Sequence, residues 1–197
     1  MIYLANALSL LIQFAFGCAV ALFVFRLLTE AVRADFYNPI CQFLYRATNP
    51  VLTPLRRVIP GLFRLDLASL LVAWLLEFVL QILLMLLFGS SPFQFPAVFP
   101  ILLFYSFVLL LRLSIYVFMG AVIIQAVLSW VSPHHPVMPF FDALTRPFLR
   151  PVRRAIPAIG GMDISPLFVL IFFQLLLMLP VAWLEQEAIR MVGQALL

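Results

Sequence analysis

Four long apolar runs, separated by segments rich in proline and arginine, set out the plan of this 197-residue chain. The first, over about 4–28, is broken by Gln13 and closes at Arg26. The second covers 67–88 with Glu77 at its centre, the third 101–129 with Arg112 inside it and Gln125 near its end, and the fourth 164–184. At ~1.5 Å of helical rise per residue, runs of this length cross the ~30 Å hydrocarbon layer of a bilayer. Gly17 and Ala21, four apart in the first run, predict a small-residue face for close helix packing.

Between runs one and two the pattern changes without becoming an ordinary loop. Phe36, Tyr37, Ile40, Phe43, Leu44 and Tyr45 recur at helical spacing, which predicts a short interfacial helix over 37–47 capped by Asp35 or Asn38. Pro50, Pro54 and Pro60 are expected to end it, because each lacks an amide donor. The segment between runs three and four predicts a second such helix over 137–146. Asp66 is placed to cap the second span, and Asp163-Ile164-Ser165-Pro166 to start the fourth. Beyond Glu185, apolar positions on one side predict a short amphipathic surface helix.

The two proline-arginine segments are copies. Thr48–Pro60 reads TNPVLTPLRRVIP, and 97 positions later Thr145–Pro157 reads TRPFLRPVRRAIP. Three prolines, two adjacent arginines and, six residues on, an aspartate keep their register. The chain is therefore a tandem duplication, and the repeat decides the fold before any single helix does. The first copy is assigned 1–91 and the second 92–197, together one membrane domain.

This motif, with Pro54, Arg56, Arg57, Pro60 and Asp66 in one copy and Pro151, Arg153, Arg154, Pro157 and Asp163 in the other, resembles the signature of the YggT family of integral membrane proteins. The resemblance covers essentially the whole chain and implies an all-α protein with two such repeats. Relatives are associated with envelope or osmotic stress, with cell or plastid division and nucleoid organisation, and in one chloroplast branch with assembly of a cytochrome b subunit.

Composition agrees with the run pattern. Hydrophobic residues make up 65 % of the chain and charged ones 10 %, against about 25 % charged in a soluble domain. A mean hydropathy of +1.16 leaves an all-α integral membrane protein with four spans as the fold class. Every basic residue is arginine. The pI near 9.6 comes from charge in two segments and points to a membrane surface or a partner rather than to nucleic acid.

Arg33, Arg46, Arg56, Arg57 and Arg64 lie between spans one and two, and Arg146, Arg150, Arg153 and Arg154 between spans three and four; the loop between spans two and three has none. The positive-inside rule thus predicts cytoplasmic motif segments, external termini and parallel repeats, and the family resemblance implies a bacterial inner membrane.

Two constellations carry the chemistry. Adjacent arginines point different ways, so one of each pair can reach Asp66 or Asp163, nine or ten residues on, while the other meets a lipid phosphate. Read blandly, the pairs are topology anchors; read sharply, they bind anionic headgroups or a membrane-protein partner. Glu77 and Arg112 form the second. Charges at that depth are costly, which predicts that they pair with each other as a polar clamp or line a proton or ion path. Gln174 is the repeat-equivalent of Glu77.

Cys18 and Cys41 lack metal or haem spacing, and Cys18 is expected to be a buried apolar side chain. His134 and His135 are expected as solvated turn residues, so no metal or cofactor is expected. Nothing resembles a nucleophile with its base, a phosphate-cradling glycine loop or a two-carboxylate acid/base pair, and the chain is read as a non-enzyme. The leading expectation is an inner-membrane organiser, or an assembly or stress-response factor, engaging anionic lipid or a partner protein. The alternative is a small oligomeric channel or transporter component linked to osmotic stress, lined by Gln13, Glu77, Arg112, Gln125 and Gln174.

Overall fold

The structure, a computed structural model, describes residues 2–32, 38–57, 59, 66–89, 96–132, 134–155 and 163–195. The described residues form helices and turns, with no strand. In chain order the helices are α1 (Ile2–Ala31), α2 (Pro39–Leu55), α3 (Leu67–Leu87), α4 (Val98–Val131), α5 (Met138–Ala155), α6 (Ser165–Leu176) and α7 (Ala182–Ala195). A π-helical turn, Leu177–Val181, joins α6 to α7.

Four helical stretches are long and apolar enough to cross a membrane: Tyr3–Ala31, Leu67–Leu87, Val98–Val131 and Ser165–Ala195. In three of them only 22 % of the most apolar window is buried inside the protein. Such continuous apolar surface is unsustainable in water, and lipid is the solvent that covers it. The protein is a multi-pass membrane protein.

The spans pack in two groups. Val20, Phe23 and Val24 of α1 meet Ala68, Val72 and Ala73 of α3, with Leu52 of α2 and Leu110 and Val117 of α4 closing that cluster. Val108, Ile115 and Val122 of α4 meet Leu149 of α5 and Val169, Phe173, Leu177 and Val181 of the last span. A third cluster joins Cys41 and Leu44 of α2 to Phe140, Phe141 and Leu144 of α5 across Ala121 of α4. The motif helices α2 and α5 are thus pinned to the ends of α1 and α4 and to one another.

Several expectations need correction. Pro50 and Pro54 lie inside α2, and Pro147 and Pro151 inside α5, so both motif helices run some eight residues past their expected ends. Prolines four apart fall on one helix face, and all four are exposed. The carbonyls they cannot serve, of Arg46 and Pro50 and of Ala143 and Pro147, therefore need no buried donor. The opposite faces carry the buried residues Leu44, Thr48 and Leu52, and Phe141, Thr145 and Leu149. Thr48 and Thr145 each donate their hydroxyl to the carbonyl four residues back, at 2.7 and 2.8 Å.

The fourth span does not end at 184. Pro180 removes one helical donor, the π turn absorbs the defect, and the helix continues as α7 against α4 instead of lying apart on the surface. Cys18 is exposed on the outer face of α1, where lipid rather than protein meets it. Gly17 sits at no close helix crossing, since a Cβ there would meet nothing within 4 Å. Among the described glycines, the one that acts through its backbone is Gly89, whose φ of +81° ends α3.

Candidate functional site

Each motif helix begins with the same device. Asn38 caps α2 by accepting from the Ile40 amide at 2.9 Å, and in the second copy the Val137 amide points to His135 Nδ1 at 3.4 Å. Asn38 also donates to the Pro136 carbonyl, 3.2 Å away, which ties the two motif segments directly. His134 and His135 lie in the turn before α5, and no cluster of metal-ligating side chains occurs among the described residues.

Each motif helix also ends on the same ion pair. Arg56 Nη2 lies 2.6 Å from Asp66 Oδ2, and its repeat-equivalent Arg153 puts Nε 2.7 Å from Asp163 Oδ2. The spacing of ten, expected from the sequence, holds in both copies, and the first arginine of each pair is the one engaged. Asp66 stands at the start of α3 but makes no side-chain capping bond; its carboxylate meets Arg56 and the Ser69 hydroxyl instead. Asp163 accepts from the Ser165 amide at 2.9 Å as well as from Arg153. Burial by itself would raise both carboxyls. Hydrogen bonds from Arg56 and Ser69, and from Ser165 and Arg153, outweigh it and hold both below the ordinary value.

Around this shared pair the copies differ. In the first, Glu30 of α1 bridges Arg56 at 2.6 Å and Arg26 at 2.9 Å. Arg26 is wholly buried, with its guanidinium carbon 3.1 Å from the centre of the Tyr45 ring. Its contact with Glu30 is charge proximity without hydrogen-bond alignment, because Nε, Nη1 and Nη2 all lack a hydrogen-bond partner. In the second copy Asp142 stands where the first has Tyr45. It binds Arg146 at 3.0 Å and lies 3.8 Å from Arg153. Only 4 % of the Asp66 side chain is exposed, against 31 % for Asp163.

Arg57 and Arg154 are both exposed, with no ion-pair partner among the described residues. Pro54 and Pro151 lie on the exposed faces of their helices, whereas Pro60 and Pro157 lie outside the described residues. Sequence reasoning gave Arg26, Glu30, Tyr45 and Asp142 no part in the site. An acid-base couple four apart, Arg26–Glu30 or Asp142–Arg146, was the available signal.

The intramembrane constellation is rearranged. Arg112 Nη1 meets both Glu185 carboxylate oxygens, at 2.7 and 2.9 Å. The expected Glu77–Arg112 pair is therefore replaced by an Arg112–Glu185 pair, made possible because the last helix continues through 185 along α4. Glu77 is 6 % exposed and lies one helical turn before Gln81 on α3. Gln174 is exposed on the outside of α6, so it does not share the environment of Glu77. Gln125 is buried elsewhere in α4, its Oε1 without a hydrogen-bond partner. Glu77, Arg112 and Gln13 do share one cavity of about 390 Å³, completed on its polar side by Gln81, Tyr105, Tyr116 and Glu185.

The family model CCB3/YggT matches residues 2–87 and 104–184. This chain belongs to the CCB3/YggT family. It is 39 % identical over 170 residues to an uncharacterized protein in the proC 3′ region of Vibrio alginolyticus, covering 86 % of this chain and 90 % of the relative. To an uncharacterized protein of Pseudomonas aeruginosa it is 39 % identical over 181 residues, 91 % of this chain and 90 % of the relative. To the uncharacterized protein YggT of Escherichia coli K12 it is 34 % identical over 167 residues, 84 % and 85 % respectively. No solved structure matches. The two matched segments hold both ion pairs, Arg56–Asp66 and Arg153–Asp163, that close the family motif helices.

Proposed function

We propose that this protein is a non-enzymatic organiser, or an assembly or stress-response factor, of the bacterial inner membrane. Its two motif segments face the cytoplasm, both termini lie outside, and the motif surface engages anionic lipid or a membrane-protein partner. One observation carries this reading. In each copy the first motif arginine is locked to its aspartate, which leaves its neighbour, Arg57 or Arg154, exposed and unpaired among the described residues. The Asn38–Pro136 hydrogen bond adds that the two segments form one surface.

Photo-crosslinkers at Thr53 and Ala155, one turn from Arg57 and beside Arg154, test the surface. Capture of one membrane protein, or of one headgroup class beyond its share of the bilayer, supports the reading. Capture of bulk lipid without preference reduces the arginines to topology anchors. Sidedness is tested by reporter fusions at residue 92 and at the C-terminus, both expected outside; a cytoplasmic signal from either reverses the orientation.

The polar cavity favours a second reading, a small oligomeric channel or transporter component. It would carry Gln13, Glu77, Gln81 and Arg112 along its path. Purified protein in liposomes that passes neither ions nor solutes under an osmotic or electrical gradient counts against it.

A further inference from the structure

We propose that the groove between the end of α1 and the arginine stripe of α5 binds the phosphate of an anionic membrane lipid, and that the first copy has no equivalent site. This site rests on the motif-surface reading and narrows it to one copy and one chemistry.

The stripe is a product of divergence between the copies. Arg146, Arg150, Arg153 and Arg154 fall on one side of α5, while the equivalent positions of α2 are Asn49, Thr53, Arg56 and Arg57. Two neutral side chains in one copy are thus two guanidinium groups in the other. Two hollows adjoin the stripe. One, of about 400 Å³, is lined by the four arginines and Asp142 alone. The other, of about 540 Å³, sets Arg146, Arg150 and Arg154 against Pro147 and, from the end of α1, Ala31 and Val32.

The acids nearby are already committed. Asp142 serves Arg146 and Arg153, and Asp163 serves Arg153. Arg150 and Arg154 have no ion-pair or hydrogen-bond partner among the described residues, and both line both hollows. Being four apart, they project to the same side of the helix. Two free guanidinium forks side by side present a donor array that matches phosphate oxygens bidentately.

The position selects a lipid over a free anion. Ala31 and Val32 end the first membrane span, so the apolar wall of the groove meets the bilayer where acyl chains give way to headgroups. A lipid phosphate can occupy the arginines with its chains continuing along α1. In the first copy Arg56 is held between Glu30 and Asp66, and Thr53 stands where the second has Arg150, so Arg57 is left without a second free guanidinium beside it.

The test is lipid binding by native mass spectrometry on the full chain in neutral detergent, with phosphatidylglycerol, phosphatidylcholine and inorganic phosphate as probes. Three proteins are compared: the unaltered one, R150Q/R154Q, and R46Q/R190Q, which removes the same charge from exposed positions outside the groove. Thermal unfolding verifies that each is folded. We expect selective phosphatidylglycerol binding, weakened about tenfold or more in R150Q/R154Q by loss of charge-assisted hydrogen bonds. It should be kept within about twofold in R46Q/R190Q, as expected for distant exposed charges. Retention in R150Q/R154Q, or equal loss in both variants, overturns the location while leaving a lipid-binding surface intact. Inorganic phosphate at millimolar concentration that displaces phosphatidylglycerol overturns the lipid assignment. If the unaltered protein does not distinguish phosphatidylglycerol from phosphatidylcholine, the lipid arm of the proposed function falls together with this site.

Discussion

The two motif copies share a sequence signature and an ion pair, yet they spend their charges differently. In the first, Arg26, Glu30, Arg56 and Asp66 form a chain of alternating sign, with Arg26 covered by Tyr45 at one end and a buried Asp66 at the start of α3 at the other. In the second, Asp142, Arg146, Arg153 and Asp163 make the corresponding chain on the surface, with Arg150 and Arg154 left over. Duplication supplied one clasp twice, Arg56–Asp66 and Arg153–Asp163. The differences between the copies, Arg26 and Glu30 in the first and Tyr45 against Asp142 at one equivalent position, set part of the first copy's charge inside and that of the second on the surface. The lesson is that a motif shared between repeats fixes backbone geometry, while the residues around it decide whether its charge is internal or available.

The sharpest way to break this comparison is to remove the shared arginine from each copy in turn. Arg56→Gln strands a carboxylate that is 4 % exposed, and a buried charge losing its partner costs roughly 3–5 kcal/mol. Arg153→Gln leaves Asp163 with 31 % exposure, where such pairs contribute only about 0–1 kcal/mol. Thermal unfolding in detergent reads the difference, and equal losses would dissolve the distinction between the copies.

The equivalent positions 45 and 142 come next. Tyr45→Leu removes the aromatic face over a fully buried guanidinium and should cost about 1–2 kcal/mol. Asp142→Asn loosens surface pairs and should cost less than about 1 kcal/mol. The same substitution leaves Arg146 and Arg153 less neutralised and should strengthen anionic-lipid binding. Denaturant unfolding and lipid titration on the same preparations check both halves.

A thermodynamic cycle separates the intramembrane charges. Arg112 and Glu185 should couple by about 1 kcal/mol, whereas Arg112 and Glu77 should be additive. Coupling between Arg112 and Glu77 would contradict the assignment of Glu185 as the partner.

The smallest expected effect is a pH profile. The folded Asp66 and Asp163 carboxyls titrate below the ordinary 3.8, so their stabilisation is complete above that value. It is lost as pH falls further through the depressed folded values. Asp66→Asn and Asp163→Asn should each flatten the acid limb of a stability-against-pH curve, Asp66→Asn the more. An unchanged limb in both would mean that other groups govern acid unfolding.

The range of each signal decided what was legible in the sequence. Spans one to three were readable as apolar runs, and the Arg-to-Asp spacing of ten appeared twice in register, which tied residues that local patterns leave apart. The prolines misled because their effect depends on which helix face they occupy. Thr48 and Leu52 face the core while Pro50 and Pro54 face outward, and that assignment needs the neighbouring helices. Arg112 and Glu185 are 73 positions apart, and their meeting depends on a π turn that carries Pro180 without breaking the helix. The Tyr45–Arg26 contact was hidden for a similar reason. It depends on how α2 folds back on the end of α1, which neither local pattern contains.

Arginine-specific labelling with phenylglyoxal, read peptide by peptide with and without phosphatidylglycerol, measures the central difference most directly. Arg26 should stay unmodified in both conditions, and Arg56, held by two carboxylates, should be unaffected by the lipid. Arg57 should react in both, and Arg150 and Arg154 should react readily without the lipid and be protected with it. Equal reactivity and equal protection at Arg57 and at Arg150 and Arg154 would contradict the account, because the two copies would then present the same surface.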